Sequence, residues 1–577
     1  MLKLPPRPCL LAAASAAAVA LALYVAVGPS RSAQAEEKAP PEDPAWKDCL
    51  YLGADTCKTC HVMPLGNKPE FVKLNEYVVW KTTDKHSIAY AVLEGSLGRR
   101  MGKALGGDEK FVLKPEAGCL GCHSMHFPGR TGEQFNPKDG VSCDGCHGPS
   151  SKWLAPHFAQ KDEWRKKTPQ QKYAEGMRDL RNPAERARLC SSCHVGSAEE
   201  GRVVTHTMYA AGHPLLTSFE VATFSHAEPQ HWYDKKDVPL FKDKRDQFKD
   251  LYDLDDAALQ NTRLVLAGAA ASLRQQTALV AGRASATDKW PELKLPSLAA
   301  EKDAKALWPQ AAMAHSDCAG CHHELRVPSW RAERGYGLTL TDGTFVRGRP
   351  GRPQPRLWSL PLASLALRID DAKPLNAALT DLHAACDARP FGEMDAVGKA
   401  AAAARDAVNL KQAAAIKLDE AAAANLLKRL TALAQSCAPD FDAARQLAAA
   451  FIVVYTELHP KPDNDAAVRE IIASLQRDLD LDWTASLEER RKLVTKRIET
   501  ALGRKVETEG ALQQALAEVD KDKLRVALLD KDHIDAMQKL RDQELAATLR
   551  KMAQYDPATF RKQMADLHRL VGEAKPK

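Results

Sequence analysis

At 577 residues the chain is too long for a single hydrophobic core, so two or more domains are expected. A charged fraction of 27% is ordinary for a globular protein, and the negative mean hydropathy excludes a polytopic membrane protein. The net charge of +6 is small for this length and includes a basic N-terminal segment, so it does not indicate nucleic-acid binding.

The N-terminus has the pattern of an export signal. Two basic residues precede an unbroken apolar run, residues 9–27, and Ala33 and Ala35 provide the small side chains that a signal peptidase requires. We therefore predict a signal peptide over residues 1–35 and a periplasmic or otherwise exported mature protein. The alternative is an uncleaved run, which is long enough to span a bilayer and would anchor the protein by its N-terminus.

Ten of the 14 cysteines occur in five copies of one pattern, Cys-x2-Cys-His. In chain order the copies read CKTCH, CLGCH, CDGCH, CSSCH and CAGCH. Their cysteines are Cys57 and Cys60, Cys119 and Cys122, Cys143 and Cys146, Cys190 and Cys193, and Cys318 and Cys321. The histidines that follow them are His61, His123, His147, His194 and His322. A disulfide framework does not explain why a histidine follows every pair.

This spacing is the one needed for covalent attachment of haem. Two thiols separated by two residues reach the two vinyl groups at one edge of the porphyrin, and the next residue then lies beneath the iron as a ligand. A zinc ribbon would use its Cys-x2-Cys units two at a time, and would leave a fifth unit unpaired. A thioredoxin-like site would need a βαβ surround, which none of the copies has. We therefore predict five covalently bound haem c groups, with the motif histidines as proximal iron ligands.

The remaining histidines bear on the second axial position of each iron. A haem that only carries electrons ordinarily has a second axial side chain, whereas a haem that does chemistry keeps that face open. Before Trp330, nine histidines lie outside the motifs, which is enough for five second ligands. The candidates in segments without another metal motif are His86, His157, His206 and His213, with His231 as a less well-placed addition. The others are His126 and His323, too close to their own motifs to reach the opposite face of the same iron, and His226 and His315.

The order CKTCH, TDKHSIA, CLGCH, VSCDGCHGP, WLAPH, CSSCHVG and AAGHP resembles the cytochrome c554 family. Members of that family are tetrahaem electron carriers, related in haem arrangement to hydroxylamine oxidoreductase and pentahaem nitrite reductase. The resemblance covers about residues 55–232. It implies that neighbouring haems exchange ligands, so that His86 serves the haem of His147 and His157 serves the haem of His61.

The chain departs from the family pattern in a longer insert between the first two motifs, a fifth motif and a large C-terminal extension. The second haem of the family has an open face, so the resemblance leaves open whether the iron of His123 has a second ligand. The second ligands of the irons of His123, His194 and His322 are expected to come from His206, His213 and His231. The sequence does not indicate which of these histidines serves which iron.

Composition along the chain predicts a mainly α protein with two parts after the signal segment. The first, residues 36–358, is a pentahaem cytochrome domain with little regular secondary structure, and the second, residues 359–577, is an α-helical bundle. Leucine spacing predicts a helix over about residues 253–284, beginning behind acidic residues suited to a helix start. The fifth haem is expected at about residues 308–330.

Four smaller predictions concern the later part of the chain. LTLTDGTFV predicts a hairpin around Asp342-Gly343, and VRGRPGRPQPR predicts a solvated basic connector. Asp440 is expected to cap a helix. Cys386 and Cys437 are expected to form a disulfide in an oxidising compartment.

These features favour an exported electron carrier whose haems pass electrons between redox protein partners, with the helical bundle available for docking. The alternative is a multihaem oxidoreductase acting on nitrogen or sulfur oxyanions or hydroxylamine at one open-faced haem. A third interpretation treats the bundle as a binding platform and the haems as a sensor. No nucleic-acid partner is expected.

Overall fold

The computed structural model describes much of the chain from residue 46 onward. The described residues are 46–62, 71–125, 130–252, 259–287, 290–294, 303–322, 327, 335–367, 369–410, 413, 416, 418–436, 440–460, 466–482, 484–508, 511–512, 514–515, 523, 527 and 530–573. The predicted signal peptide, His126, His323 and Cys437 lie outside them, so export, anchoring and the disulfide stay predictions. Within the described part, no helix is long and apolar enough to cross a bilayer.

Helices dominate the described residues, which confirms the mainly α class. Up to residue 252 they are short: α1 Ala54–Lys58, α2 Glu76–Thr83, α3 Ala91–Glu94, α4 Ser96–Gly106, α5 Leu120–His123, α6 Cys143–His147, α7 Leu154–Ala159, α8 Lys161–Lys166, α9 Pro169–Ala174, α10 Pro183–His194, α11 His206–Ala210, α12 Val221–Ala227, α13 Pro239–Asp243 and α14 Arg245–Tyr252. Proline begins α9 and α10, and glycine ends α4 and α6. These residues start and stop helices because of their restricted or permissive backbone angles. The first four Cys-x2-Cys-His motifs therefore lie among short helices joined by turns.

The predicted helical insert is present as α15, Gln260–Ser285, a 26-residue helix buried along most of its length. Leu259 occupies the cap position in a left-handed conformation without a side-chain bond, and the acidic residues expected at the helix start lie outside the described residues. Glu457, almost 200 residues later, accepts the backbone N–H groups of Asn261 at 3.0 Å and Thr262 at 2.7 Å. The helix start is therefore fixed by a tertiary contact.

The stretch after α15 contains two short helices and the predicted hairpin. The helices are α16 Pro291–Lys294 and α17 Ala304–Met313, and the antiparallel strands are β1 Gly337–Thr339 and β2 Phe345–Arg347. Leu338 pairs with Val346, and Gly343 adopts a φ of 85° in the connecting turn, as the Asp-Gly pair predicted.

The basic stretch VRGRPGRPQPR, residues 346–356, is exposed at residues 347 and 349–351, as expected of a solvated connector, but it is buried at Pro353 and Gln354. It lies along the approach to the fifth motif, where the Asp317 N–H donates to the Gln354 carbonyl and the Arg356 N–H donates to the His315 carbonyl, both at 2.8 Å. Arg356 also forms an ion pair with the buried Asp442. Proline and arginine composition alone gave no sign of these long-range partners.

The C-terminal part consists of longer helices. They are α18 Leu360–Ala366, α19 Ile369–Asp387, α20 Met394–Ala407, α21 Glu420–Ser436, α22 Phe441–Leu458, α23 Ala466–Asp478, α24 Thr484–Leu502, α25 Lys531–Ala553 and α26 Pro557–Glu573. Asp440 caps α22 as predicted, by accepting the Ala443 N–H at 2.9 Å.

The largest apolar core includes residues from both predicted parts. Phe219 and Leu273 from the motif-bearing part pack in one cluster with Leu430 and Phe451 from the C-terminal helices, and each is at most 1% exposed. Helix α15 contacts α10 on one side and α18, α20 and α22 on others. The predicted boundary at residues 358 and 359 therefore crosses a continuous core.

Candidate haem centres

The motifs lie on tight helical turns. In the first, second and fifth motifs the histidine N–H donates to the carbonyl of the first cysteine, four residues earlier, at 3.1, 3.1 and 2.7 Å. Residues three and four apart share one face of a helical turn, so both thiols and the imidazole of a motif project toward the same side. This is the local geometry that covalent haem attachment requires. We number the centres after their motifs, from the first with His61 to the fifth with His322.

Four motif histidines face a second histidine across a gap of nearly constant width. The ring centres are 6.3 Å apart for His61 and His157, 6.2 Å for His194 and His86, 6.4 Å for His123 and His213, and 6.4 Å for His322 and His206. Two metal–imidazole bonds of about 2.0 Å, each added to about 1.1 Å from ring nitrogen to ring centre, give about 6.2 Å. The described residues thus fit an iron held between each pair.

The ring of His157 lies opposite that of His61, the arrangement that the resemblance implies, but the structure departs from the implied placement of His86. Its ring faces His194 of the fourth motif and not His147 of the third. The backbone explains this, because His86 lies on a tight turn, Lys85–Ile88, and its carbonyl accepts the N–H of Val141 just ahead of the third motif. The side chain therefore extends past the third motif to the fourth.

The third motif has His231 and His61 within electrostatic range of its histidine. Burial, followed by the nearby charge of His231, lowers the pKa of His147 to about 3. Four of the five candidates, His86, His157, His206 and His213, thus face a motif histidine, and the fifth, His231, is electrostatically close to His147. The sequence did not assign His206, His213 and His231, because loops between motifs are long enough to reach several centres.

Other candidates have no such pairing among the described residues. His226 is exposed, and His315 is a mostly enclosed side chain whose Nε2 has no hydrogen-bond partner.

A hydrogen-bond partner at Nδ1 fixes the orientation of most paired rings. Backbone carbonyls serve four of them: Ala89 for His123 and Pro214 for His213, both at 2.7 Å, Pro229 for His231 at 3.3 Å, and Leu154 for His157. Carboxylates serve the other two: Glu76 for His61 at 2.8 Å and Asp84 for His86 at 3.0 Å. Each acceptor places the ring hydrogen on Nδ1 and leaves Nε2 free for a metal.

Neither carboxylate was predicted from the sequence as a partner of a histidine ring. Asp84 precedes His86 by two residues, a spacing that allows a local contact, but Glu76 follows His61 by 15 residues and gave no signal. Glu228 adds a further acidic group, since ligand atoms of Asp84, His86 and Glu228 all lie within 4.8 Å of one another. Burial, followed by the charge of Asp84, raises the pKa of Glu228.

Contacts between motifs place the centres next to one another. The neighbouring Cys57 thiol of the first motif raises the pKa of Cys143 of the third, and α1 packs against α6. The second and fourth motifs meet through Arg202, which donates to the Ser192 hydroxyl and to the Met125 sulfur.

The third and fourth motifs are also neighbours. Burial, followed by the charges of Glu228 and Cys190, raises the pKa of Cys146, so thiols of the two motifs lie within electrostatic range. The second and fifth centres share α11 and the loop after it, since His206 faces the fifth motif, and Tyr209 contacts His213 at 5.9 Å between ring centres.

The family comparison agrees with this geometry. Residues 56–148, which include the first three motifs, match the family described as cytochrome c554 and c-prime. This segment belongs to the cytochrome c554 family. No curated protein and no solved structure matches the chain. Membership identifies a c-type cytochrome with covalently bound haem and a role in electron transfer.

The C-terminal helices reach the c554 segment directly. Val494 and Ile498 of α24 pack with Val78 and Trp80 of α2, and Lys85 forms an ion pair with Glu544 of α25 at 2.7 Å. Arg541 of α25 is near the second centre, where its positive charge adds to burial in lowering the pKa of both His123 and His213. The extension therefore forms part of the surroundings of the centres.

Proposed function

We propose that the protein is an exported pentahaem c-type cytochrome that carries electrons between redox protein partners. The observation that carries this proposal is the set of facing histidine pairs, with ring centres 6.2 to 6.4 Å apart. A centre with a histidine on each side of its iron has no free axial position for a substrate. Such a centre is suited to taking up and releasing electrons without bond rearrangement.

In this proposal the ten motif cysteines form thioether bonds and ten histidines bind five irons. The pairs are His61 with His157, His123 with His213, His147 with His231, His194 with His86, and His322 with His206. A bound haem supplies the iron that gains and loses one electron. The polypeptide holds each pair of rings at a fixed separation and orients them through their Nδ1 partners.

The contacts between motifs support a single file of centres in the order first, third, fourth, second, fifth. Each adjacent pair is linked by thiols within electrostatic range, by an arginine bridge or by a short helix. An electron can then pass between the two ends through neighbours alone.

A redox enzyme is the second candidate function, with one open-faced iron acting on nitrogen or sulfur oxyanions or hydroxylamine. The third centre is the best candidate for this open-faced iron. Each of the other four described pairs has a ring-to-ring contact, whereas His147 and His231 are linked by electrostatic proximity. If His231 does not bind the iron of His147, that iron has a free axial position.

Electron paramagnetic resonance of the oxidised holoprotein tests the proposal. We expect low-spin signals alone, and we expect His231→Gly to convert one centre to high spin because it removes one axial ligand. The control is His226→Gly, an exposed histidine five residues earlier, which should leave the spectrum unchanged. A high-spin signal in the unaltered protein that shifts on addition of nitrite or hydroxylamine would favour the enzyme.

A further inference from the structure

Two of the paired histidines differ from the others in the charge of their Nδ1 acceptor. His61 and His86 face the carboxylates of Glu76 and Asp84, whereas His123 and His213, the pair of the second centre, both face neutral backbone carbonyls. Hydrogen bonds to an ionised acceptor are stronger than those to a neutral one. The first and fourth centres therefore have a different electrostatic setting from the second.

Both carboxylates are held rigidly and shielded from water. The second oxygen of Glu76 accepts the N–H groups of Lys73 at 2.7 Å and Leu74 at 3.1 Å, and its side chain is 17% exposed. Asp84 is 5% exposed, and the oxygen that faces the His86 ring also accepts the His86 N–H at 2.9 Å. Charges in such surroundings act more strongly on their neighbours than charges in water.

The negative charge of each carboxylate affects the reduction potential of an iron bound at the other nitrogen of the same ring. A carboxylate that accepts the Nδ1 hydrogen increases the electron-donating power of Nε2. Reduction of a centre adds one electron and removes one positive charge, so a stronger donor and a nearby negative charge favour the oxidised state. Hydrogen bonding and burial around axial ligands are recognised means of setting haem potentials.

We propose that Glu76 and Asp84 are positioning residues that lower the reduction potentials of the first and fourth haem centres relative to the second. The inference rests on the proposed function, because it requires irons at these centres. In the single file of centres, this difference places the higher reduction potential at the second centre, which lies next to the fifth. Electrons entering at the first centre would then be drawn toward the fifth-centre end.

Potentiometric titration of the holoprotein, with each centre followed by optical and electron paramagnetic resonance spectra, tests the inference. Glu76→Gln and Asp84→Asn keep the size of the side chain and an oxygen acceptor but remove the charge. We expect each to raise the potential of one centre, a different one in the two variants, and to alter the low-spin signal of that centre. The matched controls are Glu133→Gln and Asp48→Asn, both exposed, which should shift no single centre.

The result that overturns the inference is a pair of variants that hold five low-spin haems with unshifted potentials. Equal shifts in the controls would overturn it as well, since they would reflect net charge. If one variant fails to retain haem, the other tests the claim by itself. Failure of the proposed function is distinguishable, because it would be seen in the unaltered protein as a missing haem or a high-spin centre.

Discussion

At the residue scale, the third centre depends on a backbone conformation that only glycine adopts readily. Gly148 ends the motif helix α6 with φ 90° and ψ 170°, and a Cβ at this position would lie 2.2 Å from the Gly176 carbonyl oxygen. Gly107 ends α4 with φ 72°, but a Cβ there would meet nothing within 4 Å. Gly107 thus has left-handed strain without a collision, whereas Gly148 combines a backbone conformation reserved for glycine with a collision.

We expect Gly148→Ala to cost more than Gly107→Ala and to exceed the roughly 1–3 kcal/mol of a sparsely populated backbone conformation, because the backbone must also move. Gly107→Ala is the control and should cost about 1 kcal/mol. Denaturant unfolding followed by the Soret band measures both. A cost for Gly148→Ala no greater than that for Gly107→Ala would contradict this expectation.

At the element scale, the start of α15 depends on Glu457 of α22. Replacing a side chain that accepts the first N–H groups of a helix ordinarily costs about 0.5–2 kcal/mol. We expect Glu457→Ala to reach the upper part of this range, since the acceptor is charged and serves two N–H groups and the Thr262 hydroxyl. Glu470→Ala, an exposed residue on α23, is the control in the same denaturant titration, and a cost equal to that of the control would contradict this role.

Helix α15 also shows which features could be predicted from the sequence and which could not. Leucine spacing correctly predicted the helix, and the Asp-Gly pair correctly predicted the hairpin, because both signals are local. The cap of α15, the partners of Arg356 and the direction of His86 arise from residues distant in sequence. Likewise the motifs identify their own cysteines and histidines, whereas the matching of each motif to a second histidine requires the fold.

At the scale of the whole molecule, the shared core predicts joint unfolding of the helices and the haem centres. Phe451 and Leu273 lie in one cluster, and α24 packs on α2 beside the first motif. On heating, the helical circular dichroism and the Soret band should therefore change in one coincident transition. Phe451→Ala, which we expect to cost about 3–5 kcal/mol, should shift both signals together. Two separated transitions would show that the C-terminal helices form an independent domain.

The central claim is that five haem groups are bonded to the ten cysteines of this chain, and the intact mass of the denatured holoprotein tests it most directly. We predict a mass equal to the processed polypeptide plus five haem groups, retained after acid–acetone extraction. Replacing both cysteines of the fifth motif, Cys318 and Cys321, by alanine should remove the mass of one group. A mass that equals the polypeptide alone, or that includes fewer than five groups in a host able to attach haem c, would contradict the account.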